Sequence, residues 1–221
     1  MLLERERRQV AEYGRMLLME GLTKGTSGNL SVIDRNRQLV AIKPSAVEYL
    51  EALPEDVAVV DLEGRQVEGP WKPSSEMPMH LALYRERPDI GAVIHTHSPF
   101  ATTFACLERE IPPVHYLVAI AGPQVPCVPY APFGSDALAE SAAEGIGCGK
   151  ALLLAHHGLV TVGADMAEAF SVAQAVEFVA EIAWRVSCVA MPPVLSSEQL
   201  EDALRRMSGY GRSTRAGEEG S

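Results

Sequence analysis

The chain has 221 residues, 47% hydrophobic and 22% charged, with a formal net charge of −10 at pH 7. These proportions fit one globular domain with ample core, and the acidic balance argues against nucleic acid or an anionic membrane surface as partner. It leaves room for a local anion site built from backbone amides.

No run reaches the ~18 uninterrupted apolar residues of a spanning helix, and the N-terminus lacks the apolar core of a signal peptide. Cys106, Cys127, Cys148 and Cys188 have neither zinc-knuckle nor thioredoxin spacing, so buried free thiols in a reducing cytoplasm are expected.

Residues 2–20 read as an amphipathic helix with Val10, Tyr13, Leu17 and Leu18 on one face, ended by Gly21. Lys24-Gly25-Thr26-Ser27-Gly28-Asn29 then runs into a strand from Leu30 to Ile33. Such a turn exposes backbone N–H groups, and Thr26, Ser27 and Asn29 add side-chain donors, so it reads as an ordinary turn or as an oxyanion or phosphate cradle. No Gly-Lys-Ser/Thr follows, so it is not a Walker loop. Asp34 to Arg37 is a hairpin turn and Gln38 to Ile42 the returning strand. In Lys43-Pro44-Ser45-Ala46, Pro44 stiffens the exit, Ser45 supplies a hydroxyl, and Lys43 is either a surface lysine or a second phosphate contact. Glu55 to Leu62 and Gln66 to Glu68 form another hairpin, with Val57, Val59 and Val67 expected in the core.

Ser74 or Ser75 is expected to cap a helix reaching about Arg87, with Pro78 in the first turn, where no N–H is missed. A helix N-terminus with two hydroxyls is a natural anion site. Glu76 either complements the helix dipole or serves chemistry; His80, one turn later, reads as helix packing rather than a ligand. Next, Val93-Ile94-His95-Thr96-His97 places two histidines on one face of a strand, roughly 7 Å apart. That suits two imidazoles converging on a metal, and catalytic zinc sites take about three protein ligands and leave one position open. An isolated pair of this kind is commonly just polar strand end. Ser74-Ser75-Glu76 upstream and His156-His157-Gly158 downstream weigh the other way.

Phe100 to Ala105 is expected helical, Ile111 to Tyr116 extended, and Pro126 to Pro132 a proline-studded connection. Ser135-Asp136 caps a helix to about Glu144, and Lys150 to Ala155 is a short buried strand delivering His156-His157-Gly158. Helices follow over 166–187 and about 197–207, then a polar tail, 213–221, expected to be disordered. Hairpin strands first, with helices interspersed and no repeats, predict an α/β (α+β) sandwich on a largely antiparallel sheet.

The ordered motifs Gly25-Thr26-Ser27-Gly28-Asn29, Pro73-Ser74-Ser75-Glu76, His95-x-His97, Val114-His115-Tyr116, Tyr130-Ala131-Pro132-Phe133-Gly134, His156-His157-Gly158, Pro193-Val194-Leu195-Ser196 and Tyr210-Gly211 resemble those of the class II aldolase/adducin family. The likeness is strongest to its branch acting on L-fuculose 1-phosphate. It spans about residues 5–212 and implies a single domain over 1–212, a three-layer sandwich with the sheet flanked by helices. It also implies a cytoplasmic, zinc-dependent lyase of carbohydrate metabolism. Such an enzyme cleaves a ketose 1-phosphate, such as L-fuculose 1-phosphate, reversibly to dihydroxyacetone phosphate and an aldehyde. The family's assembly is a homotetramer with active sites between subunits.

By the resemblance, His95, His97 and His157 would bind the zinc. The family's His-Gly pattern, not local spacing, selects His157 over His156. Mn²⁺, Co²⁺ or Fe²⁺ could replace zinc on nitrogen ligands. Glu76 would move the carbon-bound proton. A neighbouring subunit's Tyr116 would handle the aldehyde-side hydroxyl proton, and Tyr210 would assist closure. Thr26, Ser27, Asn29, Lys43, Ser45, Ser74 and Ser75 would hold the substrate phosphate.

The segment Lys43-Pro44-Ser45-Ala46 departs from the aldolases' Pro-Thr-Gly and approaches the Lys-Pro-Ser-Gly of L-ribulose-5-phosphate 4-epimerases. Glu76, where that branch has Asp, and His115-Tyr116 keep the aldolase reading ahead. A sugar-acid-phosphate decarboxylase or dehydratase on the same scaffold is a further alternative. A non-catalytic adducin-like module is disfavoured because every ligand and the acid/base are kept.

Overall fold

The computed structural model describes residues 1–122 and 124–209. Helix α1 (Glu4–Met19) is followed by β1 (Asn29–Asp34), β2 (Leu39–Ile42), β3 (Ala58–Asp61) and β4 (Gln66–Glu68). Then come α2 (Met77–Glu86), β5 (Ala92–Thr96), α3 (Pro99–Cys106), β6 (Cys127–Val128) and α4 (Asp136–Ile146). Strands β7 (Ala151–Leu154) and β8 (Gly158–Gly163) precede α5 (Met166–Ser187) and α6 (Ser197–Gly209). The strands form one sheet in the order β4-β3-β2-β1-β5-β8-β7-β6, antiparallel throughout except for β6 against β7.

Side chains alternate faces along a strand, and helices cover both faces. Val93 of β5, Val160 and Val162 of β8 and Val40 of β2 pack against α2 and α4. Ala92 and Ile94 of β5, with Leu30 and Val32 of β1, pack against α1 and α5. On the β7–β8 side, Leu153 and Leu159 meet α3 and α5. Each such Leu, Ile or Val contributes about 1.5–3 kcal/mol when fully buried. A one-residue slip of β5 would exchange its faces and forfeit several of these terms, so the register of the central strands is firmly specified.

This is the expected three-layer sandwich on a largely antiparallel sheet. Several local expectations are corrected. Val67 is 49% exposed, because β4 is the edge strand and projects it to solvent. Strand β8 is not foreseen by the sequence pattern: with both faces buried it is a short apolar run without alternation. The extended segment from Ile111 stops at His115, and Tyr116 opens a 3₁₀ helix, Tyr116–Ala121.

The cysteines are free, but Cys106, Cys148 and Cys188 are exposed and Cys127 half-buried. The N-cap of α2 is Glu76 rather than a serine. Pro73 and Ser74 are held in a bridge with Pro44 and Lys43, which keeps the backbone extended and delays the helix. Among the described residues no helix is long and apolar enough to cross a membrane. Tyr210 and the tail lie outside the described residues.

Candidate active site

The register of β1 against β5 sets Asn29 opposite His95 and Ser31 opposite Val93, all on the face covered by α2. His95 is fully buried, and its Nδ1–H donates to the Leu159 carbonyl of β8 at 3.0 Å. That bond fixes the tautomer and leaves the Nε2 lone pair free, as in histidines that ligate metals. His97 follows one residue beyond β5. His157 comes from the β7–β8 turn, where His156 takes φ 55° and His157 N–H closes on Leu154 O at 3.0 Å. The glycine after it is sterically required: a Cβ on Gly158 would lie 2.3 Å from Thr96 O.

One ring nitrogen from each of His95, His97 and His157 lies within 4.8 Å of the others, a group that could hold a metal ion. Burial, then the neighbouring imidazoles, push the pKa values of His95 and His97 below the usual range, which keeps both neutral with lone pairs available. The Nε2 atoms of His95 and His97 are 3.0 Å apart, close quarters for two lone pairs unless a cation or proton lies between them.

Glu76 completes the cluster. Its carboxylate is 6% exposed. Oε2 accepts from Asn29 Nδ2 at 2.8 Å and lies 3.3 Å from His95 Nε2. Oε1 lies 3.2 Å from His157 Nε2, yet has no hydrogen-bond partner among the described residues. Three imidazoles beside a buried, half-satisfied carboxylate fit a divalent cation with an open coordination position.

A cleft of about 500 Å³ opens in front of this cluster, with His97, His157 and Glu76 in its wall. The structure brings all seven residues expected around the phosphate into the same cleft. Thr26, Ser27 and Asn29 come from the loop before β1, Lys43 and Ser45 from the exit of β2, and Ser74 and Ser75 from the entry to α2. The loop's carbonyls are held from behind, with Tyr49 OH donating to Ser27 O at 3.0 Å and Lys43 Nζ to Thr26 O at 3.3 Å. Gly28, at φ 72°, passes so close to β5 that a Cβ would lie 2.7 Å from His95 O.

Lys43 is not a surface lysine: it is 3% exposed. Burial pulls its pKa down to about 8, with Glu48 opposing. Ala46, beside it in the cleft wall, has φ 59°, in the left-handed region that favours glycine.

His156 stays outside the triad. It is exposed and its Nε2 is 2.8 Å from Glu108 Oε1. Tyr116 is exposed and lines a separate groove with Leu117, Asp202 and Arg206, away from its own chain's cleft. Sequence reasoning missed the buried set behind Glu76. His80 Nε2 is 2.5 Å from Asn29 Oδ1, and its Nδ1 is 2.7 Å from Ser31 Oγ, with Tyr84 beyond. Two signals were available: polar residues at inward positions of β1, and a histidine four residues after Glu76, on the same side of α2.

A family model described as the class II aldolase and adducin N-terminal domain matches residues 8–184. A 5-deoxy-D-ribulose 1-phosphate aldolase of Bacillus thuringiensis serovar kurstaki is 46% identical over 212 residues, covering 96% of this chain and 100% of that protein. A 5-methylthioribulose-1-phosphate/5-deoxyribulose-1-phosphate aldolase of Rhodospirillum rubrum is 41% identical, covering 93% of this chain and 92% of that one. Among solved structures, an L-fuculose 1-phosphate aldolase superposes with a TM-score of 0.89 at 39% identity, covering 92% of this chain and 96% of the other.

Proposed function

Because the chain belongs to the class II aldolase and adducin family, we propose that it is a metal-dependent aldolase. It cleaves a ketose 1-phosphate reversibly to dihydroxyacetone phosphate and an aldehyde. The observation that carries this reading is the juxtaposition in one cleft of a three-histidine cluster, the carboxylate of Glu76 and the donor-rich wall around Lys43.

His95, His97 and His157 hold the metal, most simply zinc. When bound, it supplies Lewis acidity that stabilises the charge left on the ketone oxygen as the carbon–carbon bond breaks. The chain's own residues do the rest. Ser74, Ser75, Thr26, Ser27, Asn29, Ser45 and Lys43 fix the phosphate, placing the reacting carbons at Glu76. Glu76, with Oε2 held by Asn29, uses Oε1 to return a proton to carbon in cleavage and to take it in condensation, a role worth ~10²–10⁴-fold. A neighbouring subunit's Tyr116 exchanges the proton of the aldehyde-side hydroxyl, and Tyr210 assists closure, in a homotetramer.

A relative named for 5-deoxy-D-ribulose 1-phosphate at 46% identity, against 41% for one named for L-fuculose phosphate, supports a 5-deoxypentulose 1-phosphate as substrate. The test is a panel of ketose phosphates given to metal-loaded protein, with and without chelator, with detection of dihydroxyacetone phosphate. Chelator-sensitive release, fastest from the 5-deoxypentulose, is expected. Conversion of L-ribulose 5-phosphate to D-xylulose 5-phosphate, without release of that product, would replace this reading with an epimerase.

A further inference from the structure

Behind Glu76 lies a chain of buried polar groups linking α2 to β1. His80 and Ser31 are fully buried and Tyr84 nearly so. Tyr84 OH lies 2.9 Å from the Ser31 carbonyl and 2.8 Å from Ser31 Oγ, and its one proton can serve either oxygen. Ser31 Oγ is 2.7 Å from His80 Nδ1, His80 Nε2 is 2.5 Å from Asn29 Oδ1, and Asn29 Nδ2 is 2.8 Å from Glu76 Oε2.

The protons in this chain can be assigned by elimination. If His80 carried its proton on Nδ1, a bare Nε2 would face Asn29 Oδ1 at 2.5 Å, acceptor against acceptor. Rotating the Asn29 amide would cure that contact. It would also set Oδ1 against the Glu76 carboxylate, two acceptors again. A charged imidazolium would satisfy both neighbours, but burial pulls the His80 pKa down to about 3, so the ring is neutral. One arrangement is left. Tyr84 OH donates to Ser31 Oγ, Ser31 donates to Nδ1, Nε2–H donates to Asn29, and Asn29 donates to Glu76.

We propose that His80 is a positioning residue: as the Nε2–H tautomer set by Ser31, it locks the Asn29 amide so that it donates to one oxygen of Glu76 and leaves the other free for proton transfer. The tautomer stands on the hydrogen-bond geometry and the burial of the ring; its effect on catalysis rests on the aldolase reading. His80, Ser31 and Tyr84 are buried away from the cleft, so a misdirected donor among them has no water to turn to. The Glu76 oxygen the chain leaves unpartnered, Oε1, is the one that lies toward His157.

The experiment uses the full metal-loaded protein, with His80→Phe, which keeps a ring without donors, and His80→Gln, whose amide can replace Nε2–H. Long-range ¹H–¹⁵N spectra of the imidazoles, with His80 assigned by its absence in His80→Phe, are expected to show the Nε2–H pattern. An Nδ1–H or imidazolium pattern overturns the proposal whatever the enzyme does. Deuterium uptake from D₂O into dihydroxyacetone phosphate isolates the Glu76 step. His80→Phe should slow it by about tenfold or more, with the Kd for dihydroxyacetone phosphate and the metal content within about twofold of wild type, and His80→Gln should recover part of the rate.

Uptake within about twofold of wild type in His80→Phe, or a loss matched by lost binding or metal, overturns it. Should His80→Phe fail to fold, Ser31→Ala carries the same test, with a smaller loss of rate and a mixture of tautomers expected. Wild-type protein that exchanges no deuterium would sink the aldolase reading. The imidazole spectra would then decide the tautomer by themselves.

Discussion

The ammonium of Lys43 lies 4.5 Å from the centre of the Tyr49 ring, and backbone carbonyls of Thr26 and Pro44, not a carboxylate, accept its hydrogen bonds. A buried cation with so little compensation is costly in the free protein and attractive to an incoming anion. Its pKa is lowered to about 8, so it is charged at pH 7 and loses its proton as the pH rises through about 8. The KM for a ketose phosphate should therefore climb through that range while kcat changes less, because the contact is shared by substrate and transition state. Lys43→Met should raise KM by roughly tenfold or more at pH 7, the scale of a charged hydrogen bond, and should flatten the step.

The same lysine makes a stability prediction of opposite tone. Between about 8 and the ordinary lysine value of 10.5 the unfolded chain holds the proton and the fold does not. The ligand-free protein should accordingly gain stability as the pH rises through that window. Denaturant melts near pH 7.5 and 9.5 measure the gain, which Lys43→Met should abolish.

Ala46 adopts φ 59°, where a side chain costs about 1–2 kcal/mol relative to glycine. Ala46→Gly relieves that strain but adds freedom to the unfolded chain, so a net stabilisation of ~1 kcal/mol or less is expected. A fall in the denaturation midpoint would show that the contacts of the methyl group outweigh its backbone.

Removing any one of His95, His97 or His157 as alanine should reduce bound metal well below one ion per chain by elemental analysis. His156→Ala should leave metal content near the wild-type level, since His156 lines the cleft but pairs with Glu108 and is not part of the three-histidine group. Chelator should lower the melting temperature of wild type, by loss of a ligand that binds only the folded state. It should leave the triple-alanine variant unmoved.

Tyr116 lies outside its own chain's cleft, and the proposal that a neighbour supplies it has a direct consequence. Mixed assemblies of inactive Tyr116→Phe and Glu76→Gln chains should regain activity, because some sites then combine one good copy of each residue. Absence of complementation at every mixing ratio would place the tyrosine elsewhere.

Much of this was legible in the sequence, for physical reasons. Helices α1 and α5 announced themselves by period and α4 by its cap, Ser135 accepting from a first-turn amide as such residues do. The histidines, Glu76 and the serines were visible because chemistry demands rare residue types in tight motifs. What stayed hidden depended on the partner face. Val67 looked apolar but its side of the edge strand β4 faces solvent, whereas β8 is covered on both sides and so lost its alternation. His80 read as packing because its hydrogen-bond partners Asn29 and Ser31 lie 51 and 49 residues away, a proximity that only the register of β1 against the rest creates.

The sheet order carries a consequence for how the protein is made. Strand β5 lies between β1 and β8, so His95 is flanked by Asn29 on one side and Val160 on the other. Contacts of such sequence separation are assembled slowly, since distant chain segments must meet before any enthalpy rewards them. A nascent chain still short of the β7–β8 turn has His95 and His97 beside an unfinished sheet edge and does not yet have His157. On the proposed reading metal capture awaits the β7–β8 turn, and a partly synthesised chain should neither hold metal tightly nor begin turnover before its core is closed.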